Sequence, residues 1–177
     1  MKFISFNHNN TEKFGIIENN VITDLTGKIS DAKSLKELIK IKKINDAKEY
    51  AKNNPGNISP NEIHYSPLIP NPGKIICVGL NYSEHVKETN RTIEENPVIF
   101  HRFPESQTSH LQPIQRPTVS ESLDFEGEMA VIMDEGGKHI KTEDALKHIV
   151  GFSCYNESTV REWQRHTRQF GMGKNFE

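Results

Sequence analysis

Five prolines between residues 53 and 73 constrain the fold more than any other feature of this sequence. They lie in the stretch that begins with Asn53-Asn54 and ends at Gly73. The five are Pro55, Pro60, Pro67, Pro70 and Pro72. Because proline fixes φ and has no backbone N–H to donate, this stretch cannot continue as a helix or as a central strand. We therefore predict a linker or an extended crossover that divides the chain into residues 1–66 and 67–177.

The first part has the pattern of a small α/β module. Short alternating runs predict strands at Lys2–Phe6, Lys13–Ile17 and Val21–Leu25, joined as an antiparallel meander. Ser34 followed by Glu37 is a capping box, and it predicts a helix that continues through Ile41. A second helix is predicted over Asp46–Lys52.

The residue pattern changes at the start of the second part. Ile75–Val78 is a continuous apolar run, which is typical of a buried strand. Further strands are predicted at Pro97–Phe100, Glu126–Met133 and Ile149–Asn156, with a helix at Thr142–His148. The predicted fold class is therefore α+β, mostly β.

Composition excludes several classes of function. The 177 residues include 22 Lys and Arg against 24 Asp and Glu, and no basic block follows one face, so we expect no nucleic-acid partner. No window approaches the ~20 apolar residues of a membrane-spanning helix, and residues 1–10 lack the apolar run of a signal peptide, so we expect a cytoplasmic protein. Two cysteines, Cys77 and Cys154, cannot build a disulfide framework, and we expect both to be buried thiols.

Two carboxylates flank a glycine in the segment Asp124–Ile132. If the segment is a strand, Glu126 and Glu128 project from one face, because residues two apart share a face. Adjacent carboxylates repel one another unless water or a cation separates them. Two interpretations remain open here, a solvated edge strand or a site for a hard divalent ion.

A second candidate feature follows the strand at Ile75–Val78. On a helix His85 and Glu88 would share a face, where the carboxylate could orient the imidazole and raise its basicity. That is the outline of a general-base dyad, although the same spacing is common on exposed helices.

The third feature lies near the end of the sequence. If a helix starts at Ser158, then Glu157, Arg161 and Gln164 fall near one face. A carboxylate, a guanidinium and an amide would then converge on one point.

Four motifs, in this order, resemble the fumarylacetoacetate hydrolase superfamily over residues 74–177. The first is the run Lys74–Tyr82 with His85 and Glu88, and the second is Pro97–Phe100. The third is Leu123–Val131, which contains Glu126 and Glu128. The last runs from Gly151-Phe152 through Trp163-Gln164 to Gly173-Lys174-Asn175-Phe176. The resemblance implies the rolled mixed β-sheet fold of that family.

The resemblance also assigns roles to individual residues. It implies that Glu126, Glu128 and Glu157 hold Mg²⁺ or Mn²⁺, with Ca²⁺ also possible. Glu157 stands where the family has an aspartate, and its extra methylene moves the carboxylate by about 1.5 Å. His85 and Glu88 map onto the family's water-activating dyad.

The remaining implied residues face the substrate. Lys174 maps onto a catalytic lysine, and Arg161 and Gln164 map onto substrate-binding positions. The implied substrate is a small oxo-acid or β-diketo-acid, and the implied reactions are C–C hydrolysis, decarboxylation and keto–enol tautomerisation. A homodimer is the implied assembly.

Family members continue well past the motif at Gly173–Phe176. We therefore expect these residues to hold only the N-terminal part of the catalytic domain. Three hypotheses stay open: an active oxo-acid enzyme, a catalytically silent remnant that serves as a subunit-binding module, and a ligand-binding protein without turnover.

Overall fold

The computed structural model describes residues 1–82 and 95–176, in two compact units. The first unit comprises Met1–Asn71, Thr108–Pro113 and Gly127–Tyr155. The second comprises Pro72–Gln107, Ile114–Glu126 and Asn156–Glu177. The predicted dyad residues His85 and Glu88 lie outside the described residues.

A four-stranded antiparallel sheet forms the start of the first unit. Its strands are β1 (Lys2–His8), β2 (Thr11–Glu18), β3 (Val21–Asp24) and β4 (His64–Tyr65), in the order β3-β2-β1-β4. The predicted meander of the first three strands is confirmed.

Pairs of asparagines set the register of this sheet. Asn9 and Asn10 connect β1 to β2 with φ of 52° and 60°, and Asn19 and Asn20 connect β2 to β3 with φ of 50° and 60°. Two successive left-handed residues make the two-residue turn whose twist matches a hairpin, and asparagine tolerates that region better than most residues. The repeated Asn-Asn pairs therefore have a conformational cause.

The sheet buries apolar side chains on both faces. On one face Phe14, Ile16 and Leu25 belong to a core cluster with residues of helices α1 (Leu35–Lys40) and α2 (Ile44–Asn53). The helical members of that cluster are Leu35, Leu38, Ile39, Ala47 and Ala51. On the other face Phe6, Ile22 and Ile63 form a smaller cluster. Burial of each large side chain contributes roughly 1.5–3 kcal/mol, so these clusters dominate the stability of the unit.

The cap of α1 differs in one detail from the predicted capping box. The Ser34 hydroxyl accepts a hydrogen bond from the Glu37 backbone nitrogen, as predicted. The Glu37 carboxylate, however, accepts from the backbone nitrogen of Lys33, one residue before the cap. The first bond satisfies a backbone donor that the first helical turn leaves free, and the second ties the preceding residue to the helix.

A further strand pair belongs to the first unit. Strands β8 (Gly127–Met133) and β9 (Ile149–Asn156) form a two-stranded sheet, and Ile132 and Val150 pack against the main core cluster. Between these strands, the helix predicted at Thr142–His148 is confirmed as a 3₁₀ helix.

Two short antiparallel pairs build the second unit. Strand β5 (Ile75–Gly79) pairs with β6 (Val98–Arg102), with Cys77 opposite Phe100. Strand β7 (Leu123–Asp124) pairs with β10 (Thr159–Val160), with Asp124 opposite Thr159. Helix α3 (Arg161–Gln164) follows β10, and a 3₁₀ helix (Gly171–Gly173) leads to Lys174.

Three local details differ from the predictions. The strand predicted at Glu126–Met133 is confirmed at Gly127–Met133, so Glu126 lies just before the strand and Glu128 lies on it. The helix predicted to start at Ser158 begins at Arg161, because Thr159 and Val160 pair with β7. Cys154 is exposed and Cys77 is only partly buried.

The predicted class, α+β and mostly β, is confirmed by the ten strands and three short α-helices of the described residues. Within those same residues, no helix combines the length and apolar character needed to cross a membrane.

One ion pair within the sheet gives a prediction about pH. Lys13 donates to the half-buried carboxylate of Asp24, which also accepts from the Thr26 backbone nitrogen. Burial opposes ionisation of Asp24, but these two donors outweigh it and lower the pKa of this carboxyl below 3.8. A carboxyl with a lowered pKa stabilises the fold above its unfolded pKa, and that contribution is lost as pH falls through the folded pKa.

We therefore expect Asp24→Asn to reduce the free energy of unfolding by about 1 kcal/mol at pH 7. Urea unfolding at pH 7 and again below about pH 3 would measure it, and the two proteins should converge at the lower pH. Asp46→Asn is the control, since the exposed pair between Lys43 and Asp46 is screened by water. An equal loss at both pH values would contradict the electrostatic explanation.

Candidate metal centre

Two glutamates are held side by side at the end of the β7–β10 pair. The Glu157 backbone nitrogen donates to the Glu126 carbonyl oxygen at 2.8 Å, and the Glu126 backbone nitrogen donates to Asn156 Oδ1 at 3.1 Å. A carboxylate oxygen of Glu126 and one of Glu157 lie within 4.8 Å of each other. The backbone thus places two acidic side chains together although 31 positions separate them in the sequence.

Both carboxylates are largely withdrawn from water. The side chains of Glu126 and Glu157 are 19% and 7% exposed. Two buried negative charges at this separation cost free energy unless cations or donors compensate them.

Lys174 supplies the nearest compensation. Its side chain is 2% exposed, and its Nζ lies 2.9 Å from Glu126 Oε2 and 3.4 Å from Glu157 Oε2. The ring of Phe100 covers another side of the ammonium, with its centroid 4.8 Å from Nζ. Lys174 therefore bridges the two carboxylates from a buried position.

Arg161 compensates Glu126 from another direction. One guanidinium nitrogen lies 2.6 Å from Glu126 Oε1, and another lies 2.8 Å from Asp124 Oδ2. The guanidinium also donates to Gln164 Oε1 at 3.1 Å. Arg161 therefore contacts Gln164, as the predicted convergence required, and it also contacts two acids, Asp124 and Glu126.

Arg102 is a site residue that the sequence prediction missed. It is 6% exposed, it donates to the Ser158 carbonyl oxygen at 3.1 Å, and it lies 3.8 Å from Glu157 Oε1. The alternation of β6 could have revealed it, because Arg102 shares a strand face with buried Phe100.

Thr159 and Cys77 are the other neighbours that the sequence prediction did not name. The Thr159 hydroxyl lies 2.9 Å from Glu126 Oε1. The Cys77 thiol interacts with the Glu157 carboxylate, and burial together with that negative charge raises the pKa of Cys77 to about 12. This thiol is therefore a neutral neighbour at neutral pH.

The two glutamates differ in their electrostatics. Burial raises the pKa of Glu157, and the charge of Glu126 adds to that effect, while Lys174 opposes it. Burial also acts on Glu126, but there Lys174, Thr159 and Arg161 outweigh it and lower the pKa.

One oxygen atom supports a divalent ion at this site. Glu157 Oε1 is buried and has no hydrogen-bond partner among the described residues. A buried carboxylate oxygen without a donor is costly, and a cation would satisfy it. Carboxylate oxygens are the ligands that Mg²⁺, Mn²⁺ and Ca²⁺ prefer.

The predicted site residues thus fall into three groups. The structure brings Glu126, Glu157, Arg161, Gln164 and Lys174 together in the second unit. Glu128 is half-buried on β8 of the first unit, two residues along the chain from Glu126. His85 and Glu88 lie outside the described residues.

The fold is that of a known family. The family model for the fumarylacetoacetate hydrolase C-terminal domain matches residues 74–177. The chain belongs to this family, and the resemblance noted in the sequence is confirmed.

Two similar proteins of known sequence carry the name of a mitochondrial oxaloacetate tautomerase. The protein from Xenopus laevis is 39% identical over 111 residues, which cover 62% of this chain and 35% of that protein. The human protein is 36% identical over 118 residues, which cover 66% of this chain and 38% of that protein. The chain therefore matches little more than a third of the length of these relatives.

Solved structures extend the similarity to the whole chain. A fumarylacetoacetate hydrolase from Exiguobacterium antarcticum has a TM-score of 0.83 and 29% identity, covering 100% of this chain and 62% of that one. A maleylpyruvate hydrolase from a Sphingobium species, in complex with manganese(II) and pyruvate, has a TM-score of 0.76, 18% identity and coverage of 98% and 63%. At that identity the second match shows the fold alone.

Gly173 sets the approach of Lys174 to the two carboxylates. A Cβ at this buried glycine would overlap the backbone nitrogen of Gln164 and the carbonyl oxygen of Val160. Neither obstacle is a flexible side chain, so the backbone itself would have to move.

We expect Gly173→Ala to lower the free energy of unfolding by about 2 kcal/mol, because overpacking forces such shifts. Gly171→Ala is the matched control two residues away, where a Cβ meets nothing within 4 Å. Thermal unfolding of both variants would measure the difference. Equal stability of the two would show that the backbone yields freely at residue 173.

Proposed function

We propose that Glu126, Glu128 and Glu157 hold a divalent metal ion in an enzyme that acts on small oxo-acids. The expected ion is Mg²⁺ or Mn²⁺, in preference to Ca²⁺. The observation that carries this proposal is the buried, unpartnered Oε1 of Glu157 beside the carboxylate of Glu126. Glu128 offers a third carboxylate two residues along the chain. The manganese(II) in the structurally similar maleylpyruvate hydrolase is consistent with this choice of ion.

The charges beside the carboxylates support the proposed substrate class. Arg161 is 23% exposed at its side chain, so its guanidinium faces both the acidic cluster and solvent. An anionic ligand with a carboxylate and a neighbouring carbonyl would bind Arg161 through charge-assisted hydrogen bonds. Gln164, held by Arg161, would orient a second polar group of that ligand.

The proposed reaction is keto–enol tautomerisation of an oxo-acid such as oxaloacetate. Two relatives that are 39% and 36% identical bear that activity in their names. A bound divalent ion would supply Lewis-acid stabilisation of the negative charge on an enolate oxygen. Hydrolysis of a C–C bond and decarboxylation also develop negative charge on an enolate oxygen, so the proposal includes these two reactions.

The chain's own residues would divide the remaining work. Lys174 and Arg161 would offset negative charge that develops on the substrate. Moving the proton needs a base, and the proposal keeps His85 and Glu88 in that role. The homodimer and the cytoplasmic location predicted from the sequence stay predictions.

A metal titration tests the site itself. We expect Mn²⁺ to bind the purified chain in calorimetry, and Glu157→Gln to weaken the binding at least about tenfold, because a neutral amide is a poorer ligand. Glu135→Gln is the control, since Glu135 is an exposed acid paired with Lys42. Equal binding by the chain and by Glu157→Gln would contradict the assigned ligand.

A turnover assay separates the active enzyme from the silent remnant. We expect the chain with Mn²⁺ to accelerate the interconversion of enol and keto oxaloacetate, followed by ultraviolet absorbance. Arg161→Met should bind Mn²⁺ and lose acceleration at low substrate concentration, because Arg161 contacts the substrate in this proposal. Metal binding without any acceleration would favour a ligand-binding module.

A further inference from the structure

Lys174 occupies an unusual position for a lysine. Lysine is almost never fully buried unless it is paired, and this side chain is 2% exposed. Its ammonium contacts both Glu126 and Glu157, and Phe100 covers a third side. The group is therefore fixed where the proposed metal ligands meet.

Three of the four carboxylate oxygens of Glu126 and Glu157 have a polar neighbour closer than 3.8 Å, which is the distance from Arg102 to the fourth, Glu157 Oε1. Glu126 Oε1 has Thr159 and Arg161, at 2.9 and 2.6 Å. Lys174 Nζ lies near Glu126 Oε2 and Glu157 Oε2. The ammonium thus takes one oxygen from each glutamate and leaves only Glu157 Oε1 without a donor.

We propose that Lys174 is a built-in competitor of the divalent ion for Glu126 and Glu157. The ammonium neutralises the carboxylates when no ion is bound, which keeps the metal-free site folded. A divalent ion must then bind against the repulsion of that ammonium, so Lys174 lowers the metal affinity of the site. This inference rests on the metal site of the proposed function, and it adds the property that sets the affinity of that site.

Electrostatics and geometry favour competition over simple support. Like charges repel at these distances even at an effective dielectric constant of about 20, and few waters can enter to screen a group this buried. A lysine that only anchored the fold would not need contacts with both acids. Arg161 cannot replace it, because its guanidinium divides its contacts between Glu126 and Asp124.

Removal of the charge tests the proposal. We expect Lys174→Met to bind Mn²⁺ at least about tenfold more tightly than the unchanged chain in calorimetry. Without metal the same variant should unfold at a lower temperature, and saturating Mn²⁺ should raise its Tm by more than it raises that of the unchanged chain. Lys147→Met is the control, because it removes one positive charge from an exposed pair with Asp144.

A second variant keeps the test decisive if the first does not fold. Lys174→Gln removes the charge but keeps an amide donor for Glu126, so it should also bind Mn²⁺ more tightly. If both variants are unfolded without metal, recovery of their circular dichroism with Mn²⁺ would support competition. Failure to recover would overturn it.

The outcomes distinguish this inference from the proposed function. Weaker or unchanged Mn²⁺ binding by folded Lys174 variants overturns the competition, while binding by the unchanged chain leaves the metal site standing. Tighter binding by the variants, with no turnover of oxaloacetate by the unchanged chain, supports the competition and contradicts the proposed reaction. Absence of Mn²⁺ binding in every protein overturns both.

Discussion

The second unit depends on the hydrogen bond from the Glu157 backbone nitrogen to the Glu126 carbonyl oxygen. It brings two acidic side chains together in a place that water hardly reaches. A protein can keep such charges only by surrounding them with cations and donors. Three cationic side chains lie near this pair, those of Lys174, Arg161 and Arg102. Gly173 packs against α3 and so positions the neighbouring Lys174.

The local structure of the N-terminal module could be predicted because its signals are local. The turns at Asn9-Asn10 and Asn19-Asn20 and the cap at Ser34 depend on neighbouring residues, and these elements form close to where the sequence places them. The errors have a different origin. Thr159 and Val160 look helical from their neighbours, but pairing with β7, some 36 positions earlier, makes them a strand. Tertiary pairing of this kind overrides a short local pattern.

The site residues also differ in how far the sequence alone predicts them. Glu126, Glu157, Arg161, Gln164 and Lys174 could be named because they lie in ordered motifs, and the structure places these five together. The alternation of β6 could have marked Arg102 as buried, but its contact with Glu157 depends on which strands become neighbours in the fold. The same holds for the contacts of Asp124 and Cys77. The hydrogen bond from Arg161 to Asp124 spans 37 positions, and no spacing rule reaches that far.

Asn175 has a consequence beyond its own segment. Its side-chain amide accepts from the Phe103 backbone nitrogen and donates to the His101 carbonyl oxygen. One amide thereby offers these two residues the pair of hydrogen bonds that a neighbouring strand would offer. Unpaired strand edges invite other chains to add to them. Asn175 therefore occupies one donor and one acceptor at this edge, which are then not available to an added strand.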